Sequence, residues 1–88
     1  MENWVLLTWE EIGPNQCDIW YNQMICKIKN NALDGDYYIR YSRTSDTLCD
    51  KKFEQDSEPV DIEFVDGEWV YDGYLPMEME CIDIKNYL

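Results

Sequence analysis

The residues of this sequence that could do chemistry are its carboxylates, which are concentrated in one segment. Residues 54–83 contain eleven Asp and Glu residues and no Lys, Arg or His, whereas residues 1–53 contain eight acids and six bases. Carboxylates at this density can act as general acids and bases, bind hard cations, or present a negatively charged surface to a basic partner. Each of these three chemistries makes a different demand on the surrounding sequence.

Catalysis is disfavoured by the residue types that the chain lacks. It contains no His, which excludes Ser-His and Cys-His nucleophile systems, and its four glycines form neither a P-loop nor a G-x-G-x-x-G motif. A carboxylate pair that cleaves glycosides needs a sugar-binding cleft, which a chain of 88 residues rarely provides. We therefore expect a protein that is not an enzyme and uses no cofactor, with a carboxylate enzyme as the least favoured alternative.

Metal binding finds little support in the same residues. Asp precedes Gly at three places, but none of them matches the D-x-[DN]-x-[DN]-G loop with a distal Glu that binds Ca²⁺. The four cysteines, Cys17, Cys26, Cys49 and Cys81, contain no C-x-x-C pair, so we expect reduced thiols that fill space in the core. A zinc site made by all four cysteines is the alternative.

Size and charge limit the remaining functions. The 88 residues are 45% hydrophobic and 15% aromatic, which suits one globular domain, and the formal net charge is −12. That charge repels DNA, RNA and anionic lipid, so the expected partners are basic proteins rather than nucleic acid or membranes. The sequence shows no signal peptide and no apolar stretch of membrane-spanning length, from which we predict a cytoplasmic protein.

The first half of the chain carries signals for one short helix and two strands. Thr8 and Glu11 have the spacing of a capping box, which predicts a short helix that ends at Gly13 and Pro14. The segments "CDIWYNQMICKIK" and "DYYIRYS" alternate with a period of two, and the loop "NNALDG" between them predicts a hairpin. Residues 43–59 are polar and weakly periodic, so we predict a loop or a short irregular helix there.

The strongest local signal is the Asp66-Gly67 dipeptide between two alternating runs, "VDIEFV" and "EWVYDG". Asp-Gly favours a two-residue type I′ turn, which fixes the register of the two strands. Asp61 then faces Asp72 across the strands. The predicted apolar face of the hairpin carries Ile62, Phe64, Trp69 and Tyr71, and the opposite face carries Asp61, Glu63, Glu68 and Asp72 with Val65 and Val70.

The segment "MEMECIDIKNYL" predicts a third strand, which adds to the hairpin as a C-terminal β-meander. In that arrangement Glu78 and Glu80 join the carboxylate face of the hairpin. The overall prediction is a single α+β domain over residues 1–88, built mostly of antiparallel β-sheet with one or two short helices.

The carboxylate face is the candidate binding site. Opposite charges across strands stabilise a sheet by roughly 0.2–1 kcal/mol and like charges destabilise it, so an acidic face without bases points to a role beyond folding. Same-face carboxylates on one strand lie roughly 7 Å apart, a spacing comparable to that of neighbouring phosphates on a nucleic-acid strand. Tyr38 and Tyr74 are candidate aromatic anchors outside the predicted core. The candidate partner-binding residues are Asp61, Glu63, Glu68, Asp72, Tyr74, Glu78 and Glu80.

In its size, its acidity and its lack of catalytic motifs, the chain resembles the small phage-encoded inhibitors of host defences, including anti-CRISPR proteins and other DNA mimics. The resemblance implies a protein that acts by occupying the nucleic-acid-binding site of a CRISPR effector or a restriction enzyme. The alternative is a structural or assembly module that forms homo-oligomers through an edge strand or an aromatic patch, in which the acids only maintain solubility.

Overall fold

The computed structural model describes residues 4–13, 18–72 and 75–88 of the chain. Within these ranges β-strands predominate, and they form two antiparallel sheets. The strands are β1 Trp4–Ile12, β2 Ile19–Lys29, β3 Ala32–Ser42, β4 Glu54–Asp56, β5 Ile62–Val65, β6 Glu68–Tyr71, β7 Leu75–Pro76 and β8 Glu78–Ile82. Two 3-10 helices, Ser45–Asp50 and Ile84–Asn86, are the helical elements of these residues.

The chain enters the second sheet between β4 and β5 and returns to the first sheet across a single residue. The first sheet has the strand order β4-β3-β2-β1-β8, and the second has the order β5-β6-β7. Only Met77 separates β7 from β8, and its backbone N–H donates to the carbonyl of Trp69 at 2.9 Å. Glu78 already pairs with Thr8 of β1. The bend at Met77 therefore joins the two sheets into one sandwich.

The main core lies between the two sheets and follows from the pleat of β1 and β2. Leu7 and Met24 face each other across these strands, and both are 0% exposed. Because side chains alternate along a strand, the neighbours two residues away point into the same space. The buried members of the cluster are Val5, Leu7, Trp9, Met24, Cys26, Tyr37, Trp69 and Met77.

The central strands are also covered on their second face. Leu6 and Ile25 face each other there, and both are buried. Leu48 of the first 3-10 helix is buried as well, and that helix is held to the end of β3 by a hydrogen bond between the hydroxyls of Ser42 and Thr47. Burial on both faces explains why the runs "VLL" and "MIC" are continuously apolar, because a strand covered on both sides needs no polar alternation.

The predicted hairpin of the first half is confirmed, with a shorter loop than expected. β2 and β3 are antiparallel, and their turn consists of Asn30 and Asn31, whose φ angles are 55° and 59°. Asn tolerates this left-handed conformation, so two residues suffice, and β3 begins at Ala32. The register shifts between Ile25 and Lys27, which face a stretch of β3 that contains Gly35 at φ 79°. Part of the predicted loop is therefore a bulged strand.

The predicted N-terminal helix is wrong. Thr8 and Glu11 lie in β1, where Thr8 pairs with Gln23 on one side and with Glu78 on the other. The strand forms because Val5, Leu7 and Trp9 enter the core, which outweighs a capping signal of about 1 kcal/mol. Within residues 43–59 the alternative of a short irregular helix is confirmed by the 3-10 helix Ser45–Asp50. No helix of the described ranges is long and apolar enough to cross a membrane.

The C-terminal meander is smaller than predicted. β5, β6 and β7 follow one another in the second sheet, and β7 is only Leu75–Pro76. The segment that was expected to complete the meander, Glu78–Ile82, pairs with β1 in the first sheet instead. The paired residues of β1 lie between 70 (Thr8 to Glu78) and 78 (Trp4 to Ile82) residues earlier in the sequence, beyond the reach of a local pattern.

The cysteines differ in their burial. Cys26 is 0% exposed within the core, as expected, whereas Cys49 and Cys81 are exposed, so the expectation that they fill the core is wrong for both. Cys81 faces buried Val5 but lies on an edge strand, which leaves its outer side open. All three are free thiols, and Cys17 lies outside the described residues.

Burial raises the pKa of the Cys26 thiol from its ordinary value of 9.0 to about 12. In the unfolded chain the thiol ionises at lower pH than in the folded protein, so its contribution to stability is complete below pH 9 and is lost as the pH rises from 9 to about 12. We predict that in a Cys17→Ser, Cys49→Ser, Cys81→Ser background the free energy of unfolding falls more steeply over this interval than in the same background with Cys26→Ala. Urea titrations over the pH series measure both slopes, and equal slopes would contradict the prediction.

Candidate functional site

The register of the acidic hairpin is the one that the sequence predicts. Phe64 pairs with Trp69 and Val65 pairs with Glu68 across β5 and β6. The connecting residues Asp66 and Gly67 have φ angles of 52° and 84°, the two positive values that a type I′ turn requires. The turn thus sets which side chains share a face.

The pairing extends to the two aspartates at the open end of the hairpin. The backbone N–H of Asp72 donates to the carbonyl of Asp61 at 2.8 Å, which confirms that these residues lie opposite each other. Both residues are exposed. Two like charges therefore occupy neighbouring positions, an arrangement that is unfavourable for a sheet.

The outer face of the hairpin carries four carboxylates beside Val65 and Val70. Glu63 and Glu68 are exposed, and alternation puts them on the same side as Asp61 and Asp72. Neither strand contains a Lys or an Arg. We call the four residues Asp61, Glu63, Glu68 and Asp72 the hairpin acidic face.

Glu78 and Glu80 do not belong to the hairpin acidic face, contrary to expectation. They lie on β8 in the other sheet, where they face Thr8 and Leu6 of β1. The reason is the bend at Met77, which moves the chain out of the second sheet before these residues begin. Alternation places them on the same face of the first sheet as Glu10, so the acids form a second, separate row. Tyr74 lies outside the described residues.

Three of the seven basic side chains make contacts away from the hairpin. The guanidinium of Arg40 lies 4.3 Å from the ring centroid of Phe53 and donates to the Gln23 side-chain oxygen at 2.8 Å. Arg43 lies 5.1 Å from the ring of Trp20, and Lys51 lies 5.4 Å from that of Tyr41. Within the described ranges, Arg40, Arg43 and Lys51 therefore contact aromatic rings and amide oxygens, and these contacts lie away from the hairpin acidic face.

The field of the hairpin acids reaches a half-buried phenol beneath them. Tyr71 points to the opposite side of the hairpin and stacks on Trp9, with ring centroids 5.0 Å apart. Burial is the main cause that raises the pKa of Tyr71, and the negative charges of Glu11, Asp72 and Asp61 raise it further. The hairpin thus combines a packed aromatic side with a strongly negative outer side.

An open cleft of about 720 Å³ lies beside the hairpin turn. Its buried floor includes Trp9 and Trp69, and its walls include two apolar side chains that remain exposed, Phe64 and Met79. Glu10, Glu68 and Glu78 also line it. Alternation directs the side chains of these three residues to the outer faces of their sheets, opposite the apolar side chains of the cleft.

The sequence did not reveal this cleft. Its lining comes from β1, the β5–β6 hairpin, β7 and β8, and β1 meets the others only through long-range pairing. Alternation assigns Phe64 to the core, but in the structure this residue is 40% exposed at the wall of the cleft. Among the described residues, no group of three Asp, Glu or Cys side chains is arranged to hold a metal ion.

Comparison of the chain with models of protein families, with curated proteins and with solved structures found no match. The function of the protein is therefore inferred from the chemistry of its own surface. The distinctive feature of that surface is exposed negative charge on a defined β-hairpin, adjoining an apolar cleft.

We predict that Asp61→Asn stabilises the protein by roughly 0.2–1 kcal/mol, because it removes the repulsion with Asp72. The gain should shrink in high salt, where exposed charges are screened. Asp34→Asn is the matched control, since Asp34 faces Lys27 across β2 and β3 and its removal should give no gain. Urea unfolding at low and high salt measures both variants, and an equal effect of the two substitutions would refute the prediction.

Proposed function

We propose that the protein is a non-enzymatic binding protein whose hairpin acidic face occupies a basic, nucleic-acid-binding site on a partner protein. The observation that carries the proposal is the exposed and uncompensated charge of Asp61, Glu63, Glu68 and Asp72 on one side of a two-stranded hairpin. A surface of this kind attracts a basic protein and repels nucleic acid and anionic lipid.

The arrangement is costly for the fold, which supports a role in binding. The opposed pair Asp61 and Asp72 destabilises the hairpin by roughly 0.2–1 kcal/mol compared with an opposite-charge pair. The chain has seven bases that could relieve the repulsion, but β5 and β6 contain none of them. An ordinary solvated sheet face alternates charges of both signs, so this one suits a partner that supplies the missing cations.

The spacing of the charges supports nucleic-acid mimicry. Asp61 and Glu63 lie two residues apart on one edge of the hairpin, which corresponds to roughly 7 Å along a strand. A β-ribbon also twists, so its charges follow a curved path as phosphates do. The proposed partners are a CRISPR effector or a restriction enzyme, and the proposed role is that of a phage-encoded inhibitor in the host cytoplasm.

Long-range attraction would determine how such a complex forms. A net charge of −12 speeds association with a basic surface, and the rate falls as salt increases. Removal of the charges should therefore weaken binding mainly through slower association. This behaviour distinguishes the proposal from assembly by apolar contacts, which persists in high salt.

The test compares two triple variants with the same change in net charge. The first, Asp61→Lys, Glu63→Lys and Glu68→Lys, reverses the hairpin acidic face. The control, Asp46→Lys, Asp50→Lys and Glu54→Lys, changes exposed acids of the first 3-10 helix and β4. Each protein is immobilised and exposed to bacterial lysate at low salt, and bound proteins are released with duplex DNA.

We expect the wild type and the control to retain basic proteins that DNA displaces, and the hairpin variant to retain at least about tenfold less, since three attractive contacts become repulsive. Equal retention by the hairpin variant and the control would overturn the proposal. Circular dichroism of both variants establishes that the fold is intact.

An assembly module is the second candidate, and the free edge of β8 favours it. Among the described residues no strand pairs with the outer side of β8, and such edges can recruit a strand from another chain. Glu78 and Glu80 oppose self-pairing, because two copies would bring like charges together. Light scattering of the purified protein decides between the two: we expect a monomer at low and high salt, and a dimer that persists in high salt would favour assembly.

A further inference from the structure

β8 lies at an open edge of the first sheet. It is the last strand in the order β4-β3-β2-β1-β8, and in the described ranges no strand pairs with its outer side. Successive residues of an antiparallel strand turn their backbone N–H and C=O groups to opposite sides, so alternate residues of β8 present these groups at the edge. The described chain leaves this edge uncovered, as shown by the exposed side chains of Glu78, Met79, Glu80 and Cys81.

Among the strands that end the two sheets, β8 is the best suited to accept another strand. It has five residues, compared with three in β4, four in β5 and two in β7. Strands of globular proteins most often have about five or six residues. Pro, Lys and β-bulges block the edges of many natural sheets, and β8 contains none of them. The charge of Glu78 and Glu80 is what protects this edge.

That charge protects the edge selectively. Two copies of β8 that paired with their core sides together would bring like charges face to face, which destabilises a sheet. A strand with Lys or Arg at the positions opposite Glu78 and Glu80 would form opposite-charge pairs, which stabilise it. The two glutamates therefore disfavour a second copy of the chain and favour a basic strand.

The core side of β8 determines which residues fit between the basic ones. Met79 and Cys81 lie directly opposite Leu7 and Val5, which are 0% and 6% exposed. Met79 is nevertheless 52% exposed, because no described strand continues the sheet beyond it. Apolar residues of an added strand would cover Met79 and Cys81 and extend the apolar side of the sheet. The sequence that fits is therefore a strict alternation of basic and apolar residues.

We propose that the edge of β8 pairs with an extended segment of the basic partner, in which Lys or Arg alternates with apolar residues. Backbone hydrogen bonds hold the added strand, as in other proteins that bind a peptide at a sheet edge. Its basic side chains lie beside Glu78 and Glu80, and its apolar side chains lie beside Met79 and Cys81. The inference rests on the proposed function for the basic character of the partner, and it adds a second contact, separate from the hairpin acidic face.

The test uses two fluorescein-labelled heptapeptides of identical composition and charge. One alternates, Lys-Val-Lys-Val-Lys-Val-Lys, and the other is segregated, Lys-Lys-Lys-Lys-Val-Val-Val. As an extended strand, the alternating peptide has one basic and one apolar side, whereas both sides of the segregated peptide are mixed. General attraction to the net charge of −12 is the same for both peptides. Fluorescence anisotropy at low salt gives the two dissociation constants.

The edge variant is Glu78→Lys with Glu80→Lys, and the control variant is Asp46→Lys with Asp50→Lys, which changes two exposed acids of the first 3-10 helix. Both variants change the net charge by the same amount. We expect the wild type and the control to bind the alternating peptide about tenfold more tightly than the segregated one. The edge variant should lose this preference, because opposite-charge pairs become like-charge pairs.

Circular dichroism and urea midpoints establish that each variant is folded. If the wild type binds both peptides equally, or if the edge variant keeps the preference, the edge inference is overturned. The charge-reversed hairpin variant should bind both peptides more weakly and keep the preference, since its β8 is unchanged. The proposed function is decided separately, by the retention of basic proteins from lysate.

Amide hydrogen exchange of the wild type supplies a second measurement that needs no substitution. The alternating peptide should slow the exchange of the outward amides within Glu78–Ile82, because they become hydrogen-bonded. The amides of Glu54–Asp56, in the strand at the other end of the same sheet, are the internal reference. Slower exchange confined to β8 supports the proposal. Unchanged exchange in β8, or equal slowing in β4 and β8, contradicts it.

Discussion

Pairing of β1 on both sides is the constraint on which the rest of the structure depends. Over Trp4–Thr8 this strand pairs with β2 on one side and with β8 on the other, while its alternate residues enter the main core. β8 continues through Met77 into β7, and β7 pairs with β6. The position of the acidic hairpin therefore depends on hydrogen bonds that β1 makes with the far end of the chain. Beyond Thr8, where β1 loses β8 as a partner, the cleft opens.

The same sandwich explains how a hairpin can carry only negative charge on its outer face. Trp69 is buried in the core, and Tyr71 stacks on Trp9. Burial of one large apolar side chain stabilises a protein by about 1.5–3 kcal/mol, whereas a like-charge pair across strands costs roughly 0.2–1 kcal/mol. The aromatic inner side thus outweighs the repulsion on the outer side. Apolar packing of the inner side positions the hairpin, and the carboxylates of the outer side take no part in that packing.

The sequence predicts features of this fold that arise within a few residues, and misses features that arise from distant pairing. The register of β5 and β6 was predictable because a two-residue Asp66-Gly67 turn allows only one alignment. The location of Glu78 was not, because it depends on pairing with Thr8, at the opposite end of the chain. The prediction at Thr8 failed for the converse reason. Thr8 and Glu11 do have the spacing of a capping box, but the cap stabilises a helix by less than burial stabilises the strand that contains Thr8.

Local contacts within the hairpin and long-range pairing between strands form different parts of the surface. The hairpin acidic face is local, since Asp61 to Asp72 form it within one hairpin. The cleft is not local. One of its lining residues, Glu68, belongs to the hairpin, whereas another, Glu78, is positioned by the pairing of β8 with β1. An unfolded chain carries the same net charge but cannot bring Phe64 of β5 and Met79 of β8 together at one cleft. The negative charge of the surface is therefore a property of composition and local structure, whereas the cleft requires the complete sandwich.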